Sequence, residues 1–243
     1  MAFLELNDVS FSAQDRVVVK SFSYQYEEGK TTALVGPSGD GKSTVLKLSA
    51  GLLVPSGGEV SFRGKNIAHM NRRENLEFRQ EAAVVFQDSA LWANQNLFEI
   101  LELPLLVHFP RMTRKERQER VDQVLKAVGY RKELNFRPSQ LSMGEHKLIA
   151  FARAIICRPK ILFLDEWTES LDDSASQRLV KLVRQHQAEG HTVIFVSHDP
   201  RLVRSLADKV LMIMGGELYL QLTRDQIESD DDIARYLEQG ITA

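Results

Sequence analysis

The fold predicted for this chain rests on one stretch, Gly36-Pro37-Ser38-Gly39-Asp40-Gly41-Lys42-Ser43-Thr44. It fits the phosphate-binding loop pattern of glycine, any four residues, and then Gly-Lys-Ser/Thr. Residues 31–35 before it are typical of a short buried strand, and residues 43–50 after it are typical of a helix that ends at Gly51. A glycine-rich turn without a ligand is the alternative, and the flanking strand and helix make it a remote one.

A strand, a glycine loop and the start of a helix together predict an anion-binding site. Glycines allow backbone N–H groups to turn toward a phosphate, and the helix dipole adds partial positive charge there. In such a loop Lys42 reaches the β- and γ-phosphates of a nucleotide, and the Ser43 hydroxyl coordinates Mg²⁺. The sequence therefore predicts a nucleotide site with magnesium.

Length, composition and charge restrict the classes of protein that fit. The chain has 243 residues, enough for one large α/β domain or a core with a subdomain, and its 43% hydrophobic content is that of a soluble globular protein. No apolar run approaches the length of a membrane span, and residues 1–5 show no signal-peptide pattern. The net charge of −2 and the pI near 6.3 argue against a dedicated nucleic-acid binder. We therefore predict a cytoplasmic protein whose role at a membrane would come through a partner.

Apolar patterning predicts an antiparallel β layer ahead of the loop and a buried parallel sheet around it. Strand patterns ahead of the loop occur at residues 3–7, 17–19 and 21–26. Continuous apolar runs, expected where both faces of a parallel sheet are covered, occur at residues 82–86, 161–164 and 193–196. A closing hairpin is predicted at residues 210–222.

Residues 88–157 differ in character and predict a helical subdomain inserted into the sheet core. Two capping boxes open helices there, at Thr113-Arg114-Lys115-Glu116 and at Ser142-Met143-Gly144-Glu145. The predicted division has three parts. They are a nucleotide-binding core with its antiparallel β layer at 1–87 and 158–224, the helical subdomain at 88–157, and a C-terminal tail with a short helix at 225–243.

Four further features are expected to cluster with the phosphate loop. Asp165 and Glu166 follow a buried strand, where Asp165 can hold Mg²⁺ directly or through water and Glu166 can polarise an attacking water. Gln87 and His198 each end another buried strand, which is where open α/β sheets place ligand-binding groups. The stretch at 141–145 puts a serine and a glycine N–H at a helix N-terminus, which is a second anion site.

This set of motifs, in this order from about Leu4 to Leu222, resembles the nucleotide-binding subunits of ABC transporters. The resemblance implies an α/β fold of the P-loop NTPase (RecA-like) class. The family motifs are Walker A at 36–44, the signature motif at 141–145, Walker B at 161–165 and the D-loop at 170–172. The implied cofactors are ATP and Mg²⁺. The resemblance implies catalytic roles for Glu166, His198, Gln87 and Lys42, and metal contacts from Ser43, Gln87 and Asp165.

The resemblance also implies a head-to-tail dimer of two copies of the chain. Each ATP would lie between the Walker A loop of one copy and the signature serine of the other, so that Ser142, Gly144 and the D-loop Asp172 contact nucleotide. The signature usually reads Leu-Ser-Gly-Gly-Gln. Here Met143 and Glu145 replace the first glycine and the glutamine, which predicts a weakened signature contact.

Two further positions depart from the family pattern. Trp167 stands where a proline usually follows the catalytic glutamate. The aromatic residue that stacks on adenine falls on Ala13 in the predicted register, and Phe11, two residues away on the same predicted strand face, is the candidate substitute.

The segment Val85-Phe86-Gln87-Asp88-Ser89-Ala90-Leu91-Trp92 resembles the Q-loop segment of the ABC branch that moves phospholipids with MCE-type proteins. The resemblance implies a multi-span membrane permease docked on residues 88–110, an MCE-type lipid-binding partner, and a peripheral position on the inner face of the cytoplasmic membrane. Three alternatives stay open. They are another importer or exporter, a soluble ABC-type ATPase without a membrane partner, and a nucleotide clamp that does not hydrolyse ATP.

The remaining histidines are expected to be solvated surface groups, because they are scattered among polar neighbours and no pair has metal-site spacing. They are His69, His108, His146, His186 and His191.

Overall fold

The computed structural model describes residues 3–229, and two β-sheets lie in that range. In chain order the strands are β1 Leu4–Ala13, β2 Arg16–Tyr26, β3 Thr31–Val35, β4 Gly57–Phe62, β5 Lys65–Asn66, β6 Ala82–Val85, β7 Ile161–Asp165, β8 Thr192–Val196, β9 Lys209–Met214 and β10 Glu217–Thr223. The first sheet is antiparallel with the order β2-β1-β4-β5. The second has the order β10-β9-β3-β8-β7-β6 and is parallel except for the β9–β10 hairpin. The predicted antiparallel layer, parallel core and closing hairpin are therefore confirmed.

Helices connect the strands and surround the parallel sheet. They are α1 Lys42–Ser49, α2 Arg72–Glu81, α3 Leu97–His108, α4 Arg114–Val128, α5 Met143–Ile155, α6 Asp173–Ala188, α7 Pro200–Leu206 and α8 Arg224–Ser229. Both predicted capping boxes are present, since Thr113 with Glu116 opens α4 and Ser142 with Glu145 opens α5. Each capping box satisfies two backbone N–H groups that a helix start would otherwise leave unpaired.

Helices α2 and α3 are not among the predicted elements. Helix α3 buries one stripe formed by Leu97, Ile100, Leu101 and Leu105, but apolar residues such as Leu106 and Val107 also occupy exposed positions. These exposed apolar residues hide the period of 3.6 residues on which sequence patterning depends. Both helices nevertheless begin with a capping box, formed by Asn71 with Glu74 and by Asn96 with Glu99.

The parallel sheet separates two hydrophobic clusters. Along β7, Leu162 and Leu164 belong to one cluster, whereas Ile161 and Phe163 belong to the other, as expected for side chains that alternate between the faces of a strand. The first cluster includes buried residues of α3, α4, α5 and α6, and the second includes α1 and the antiparallel layer. The helices of residues 88–157 therefore share one continuous core with the sheet. The division of the chain into a core and an inserted subdomain stays a prediction.

The predicted C-terminal tail is described only as far as residue 229. Helix α8 lies at the start of the predicted tail at 225–243, and residues 230–243 of that tail lie outside the described residues. Within the described residues, no helix combines the length and apolar character needed to cross a membrane.

Candidate active site

The phosphate loop lies between the end of β3 and the start of α1, against the β9–β10 hairpin. A Cβ atom added to Gly36, whose φ is +138°, would stand 2.1 Å from the Ile213 carbonyl oxygen of β9. The Asp40 carboxylate accepts a hydrogen bond of 2.9 Å from the Gly215 N–H of the hairpin turn. At the start of α1, Gly41 is the N-cap and supplies no side-chain hydrogen bond. The first N–H groups of α1 are therefore left for a ligand to satisfy.

Lys42 and Ser43 place a cation and a hydroxyl in this loop. The Lys42 ammonium is buried and donates hydrogen bonds to the carbonyl oxygens of Gly36 at 2.8 Å and Pro37 at 2.7 Å. Burial lowers the pKa of Lys42, and the carboxylates of Glu166, Asp40 and Asp165 oppose that shift. The Ser43 hydroxyl donates to Asp165 Oδ1 at 2.8 Å. A hydroxyl beside a carboxylate is the all-oxygen donor set that Mg²⁺ prefers, so the residues present fit this ion.

Glu166 stands at the carboxyl end of β7 with its side chain directed into the site. Its side chain is 13% exposed, and its Oε1 lies 3.3 Å from His198 Nε2. Burial, followed by the Asp165 charge, raises the pKa of Glu166 to about 7. Its backbone has the left-handed φ of +43°, and its N–H donates to the Val196 carbonyl of β8 at 3.2 Å. A carboxylate whose pKa lies near neutrality is suited to accept a proton from water.

These groups line one polar cavity of about 310 Å³. The predicted residues that the structure brings together on its wall are Ser38, Gly39, Gly41, Lys42, Ser43, Thr44, Gln87, Glu166 and His198. Gly36, Pro37 and Asp165 contact this wall through their hydrogen bonds with Lys42 and Ser43, whereas Asp40 contacts the hairpin turn. Val18 of β2 also lines the cavity, and sequence patterning did not single it out.

Phe11, the predicted adenine contact, does not line this cavity. The pairing of β1 with β2 shifts register on both sides of Phe11, so the simple alternation assumed for this strand is interrupted. Phe11 is partly buried and packs against the cluster of the antiparallel layer, whereas Ala13 is exposed at the strand end. The assignment of an adenine contact stays a prediction.

The signature residues Ser142 and Gly144 also lie outside the cavity, at the start of α5. The Ser142 hydroxyl accepts a hydrogen bond from the Glu145 N–H at 3.3 Å, and the Ser142 N–H donates to the Glu145 carboxylate at 2.9 Å. The other Glu145 oxygen pairs with Lys132 Nζ at 2.7 Å. The hydrogen bond from Lys132 and those of the capping box lower the pKa of Glu145. Asp172 caps α6 through the Ala175 N–H at 2.8 Å.

Sequence patterning missed Lys147, which joins α5 to two strand ends. Its side chain is buried, and its ammonium donates hydrogen bonds to the backbone carbonyls of Gln87 and of Glu166, the latter at 3.0 Å. Burial lowers the pKa of Lys147, and four nearby carboxylates oppose the shift. The one signal in the sequence was a lysine on the apolar side of a predicted helix, between Leu148 and the capping box.

The Trp167 departure has a structural explanation. The indole is 1% exposed and packs against Phe151 of α5 with a distance of 5.8 Å between ring centroids. Trp167 therefore fills the core between β7 and α5 and does not face the cavity.

Comparison with known proteins relates this geometry to a family. A model described as ABC transporter matches residues 19–169. The nickel import ATP-binding protein NikE of Shigella flexneri serotype 5b is 34% identical over 233 residues, which cover 94% of this chain and 87% of that protein. The NikE protein of Escherichia coli is 33% identical over 255 residues, covering 99% and 95%.

Solved structures agree with the sequence comparison. The dimeric ATP-binding cassette MJ0796 bound to ADP and phosphate matches with a TM-score of 0.84 and 27% identity, over 91% of this chain and 99% of that one. CbiO1 from Clostridium perfringens, part of an ABC transporter complex, matches with a TM-score of 0.77 and 27% identity, over 98% and 95%. The predicted P-loop NTPase fold is confirmed.

Proposed function

The chain belongs to the ABC transporter family, and on that premise we propose that it is the ATP-hydrolysing subunit of a membrane importer. The proposal rests on one observation, which is that residues of the phosphate loop, Glu166 and His198 line the same cavity. ATP and Mg²⁺ are its cofactors. The nucleotide clamp is disfavoured, because Gln87, Glu166 and His198, the residues assigned to hydrolysis, line the same cavity as the phosphate loop.

Each residue has one task in the hydrolysis. Lys42 neutralises charge on the β- and γ-phosphates from the loop, and Ser43 with Asp165 would hold Mg²⁺. Bound there, Mg²⁺ supplies positive charge to the phosphate oxygens. Glu166 accepts the proton of the attacking water, and His198, 3.3 Å from its carboxylate, holds that carboxylate in place. Gln87 reaches the same cavity and is the proposed further metal contact.

A second copy of the chain completes the site. Ser142, Gly144 and Asp172 do not line the cavity of their own chain, so they are free to contact nucleotide bound by another copy. The MJ0796 cassette is dimeric in its complex with ADP and phosphate. The head-to-tail pairing that the family resemblance implies would bring a signature motif over each phosphate loop. We extend that arrangement to this chain.

A permease helix docks in a groove beside the Q-loop segment. The groove, about 390 Å³, is lined by Phe86, Trp92, Pro104 and His108, among others, and the predicted docking segment 88–110 supplies part of its wall. Trp92 is 44% exposed, and the guanidinium of Arg153 stacks on its ring at 5.3 Å. An exposed aromatic held rigidly at the edge of an apolar groove is typical of a binding hot spot. Through this contact the chain would lie on the inner face of the cytoplasmic membrane.

The transported substrate is the more specific part of the proposal. The relatives described above are nickel import proteins, which favours a small ion over a phospholipid. The phospholipid hypothesis, with an MCE-type partner, retains the support of the segment 85–92 and of the exposed Trp92. A soluble ABC-type ATPase without a membrane partner would leave the apolar groove without an occupant.

Purification from membranes tests the docking proposal. Trp92→Glu should abolish recovery of the permease with the ATPase while leaving ATP binding intact, because it removes the aromatic ring from the edge of the groove and puts a charge there. Tyr219→Glu is the matched control, since Tyr219 is also an exposed aromatic and lies on β10, away from the groove. Equal recovery of the permease with both variants would remove the groove from the interface.

Uptake by the reconstituted complex tests the cargo. ATP-dependent Ni²⁺ accumulation in vesicles, lost in Glu166→Gln, supports the importer proposal. ATP-dependent phospholipid movement, with an MCE-type subunit in the purified complex, would support the lipid hypothesis in its place.

A further inference from the structure

The end of helix α6 brings three metal-ligating side chains together, far from the ATP site. The Gly190 N–H donates to the Gln187 carbonyl at 2.9 Å, and the His191 N–H donates to the His186 carbonyl at 3.2 Å. With Gly190 in the left-handed conformation at φ +79°, this pair of bonds is a Schellman motif. The motif normally places an apolar pair in contact across the helix end, and here that pair consists of His186 and His191.

The backbone motif thus fixes two imidazoles against each other. Their rings lie 4.5 Å apart between centroids, and the two Nδ1 atoms are separated by 3.3 Å. Glu189, the last residue of the helix turn, brings its Oε2 to 3.5 Å from His191 Nδ1. All three ligand atoms lie within 4.8 Å of one another. The expectation that these histidines are separate surface groups was therefore wrong, because spacing along the chain did not reveal the backbone reversal at Gly190.

The two separations measured from His191 Nδ1 match a tetrahedral metal centre, and the third separation is at most 4.8 Å. Zn²⁺ binds imidazole nitrogen at about 2.0–2.1 Å and carboxylate oxygen at about 2.0–2.2 Å, so tetrahedral angles place two ligand atoms about 3.3–3.5 Å apart. Octahedral angles at similar bond lengths would place them about 3.0 Å apart. The two measured separations of 3.3 and 3.5 Å fall in the tetrahedral range. Two imidazoles with one carboxylate also form the donor set of three-ligand zinc sites, in which the fourth position is left for water.

We propose that His186, Glu189 and His191 bind a divalent transition-metal ion of the Zn²⁺ type. Glu189 is 68% exposed and His191 is 26% exposed, so an ion reaches the cluster from solvent without any rearrangement of the sheet. The ion links the end of α6 to the start of β8, whose other end leads to His198. The site lies at the end of β8 opposite the ATP cavity, so binding there does not require nucleotide.

Calorimetric titration of Zn²⁺ into the full-length, nucleotide-free protein tests this site. We expect the wild type to bind about one Zn²⁺ ion per chain at this cluster. In His191→Ala and in Glu189→Gln, this ion should be lost or bound at least about tenfold more weakly. Even the loss of a group that only supports a metal ligand lowers metal affinity by about 10–100-fold. Both substitutions are at accessible side chains, which protects folding. His69→Ala is the matched control, since His69 is an exposed histidine outside the cluster, and it should bind as the wild type does.

Two results would overturn the proposal. One is the absence of Zn²⁺ binding in the wild type. The contact between His186 and His191 would then be only a hydrogen bond between two side chains. The other is unchanged binding in His191→Ala, which would place the ion elsewhere, such as at Ser43 and Asp165. Wild-type ATPase activity of the His191→Ala protein, measured with Mg²⁺ and without Zn²⁺, would establish that the variant is folded and that the ATP site works without the proposed Zn²⁺ site.

Discussion

Helices α1 and α5 both begin at residues that are predicted to contact phosphate, but their first turns are built differently. At α1 the N-cap is Gly41, which offers no side-chain hydrogen bond to the free N–H groups. At α5 the Ser142 hydroxyl and the Glu145 carboxylate form a complete capping box, and Lys132 pairs with that carboxylate. The N-terminus of α1 is therefore open to an anion, whereas the N-terminus of α5 already carries one.

This difference predicts that the two helix starts proposed to contact one nucleotide bind its phosphates with different strength. A phosphate at α1 gains the N–H groups and the helix dipole without displacing a cap. A phosphate brought to α5 by another copy would meet the negative charge of Glu145 at the same helix end. We infer that one chain captures ATP through α1 and that closure of the dimer through α5 is the weaker step, in line with the weakened signature contact predicted from Met143 and Glu145.

The largest expected effect distinguishes ATP binding at α1 from ATP hydrolysis. Glu166→Gln should lower steady-state ATP turnover by about 10²–10⁴-fold, the usual weight of a general base, while ATP affinity stays as in the wild type. A closed dimer with trapped ATP should accumulate on gel filtration. Glu119→Gln, at an exposed carboxylate on α4, is the control and should retain turnover. If Glu166→Gln hydrolyses ATP at the wild-type rate, Glu166 is not the base.

An intermediate effect is expected at Lys147, which connects α5 to the catalytic edge of the sheet. Lys147→Met keeps the length and apolar contacts of the side chain but leaves the Gln87 and Glu166 carbonyls without their donor, at a cost of about 1–3 kcal/mol in the free energy of unfolding. Turnover should fall more than ATP affinity does, because the loop of α1 is untouched. Lys147→Gln, which can donate to a carbonyl, should recover part of both losses. Unchanged melting and turnover in Lys147→Met would contradict the connection.

The smallest effect tests the comparison of the two helix starts directly. Glu145→Gln can keep the capping hydrogen bond while removing the negative charge, so ATP-dependent dimerisation should strengthen by about two- to fivefold, equivalent to about 0.3–1 kcal/mol for a charge at a helix end. Glu116→Gln alters the same kind of capping box at α4 and serves as the control. Equal changes in both variants, measured by sedimentation, would mean that the charge at α5 does not oppose closure.

Local sequence was sufficient where one short segment builds the whole feature. The phosphate loop, the capping boxes of α4 and α5 and the buried strands each depend on residues within about ten positions of one another. Helix α3 escaped prediction because apolar residues such as Leu106 and Val107 stand at exposed positions, where a polar face is expected. The capping box of Asn96 and Glu99 was the local signal that marked its start.

Features that need distant partners did not follow from the sequence. The two acceptors of Lys147 lie 60 and 19 residues away along the chain, and no local pattern pairs them. The position of Phe11 depended on register shifts between β1 and β2, which alternation alone does not reveal. His186 and His191 were close in sequence, yet their contact depended on a left-handed residue between them.

Substitutions in the phosphate loop are expected to inactivate the protein for two unrelated reasons, which are steric collision and the loss of a ligand contact. Any side chain at Gly36 collides with a backbone carbonyl of β9, whatever ligand is bound, because a strand in the middle of a sheet cannot move aside. Loss of function at that position reports a lack of space, while loss at Ser43 reports missing contact chemistry. Saturation mutagenesis scored by survival would merge these causes. Protein abundance scored in parallel would separate them, because the Gly36 variants would be depleted as unfolded chains and the Ser43 variants would persist as folded, inactive ones.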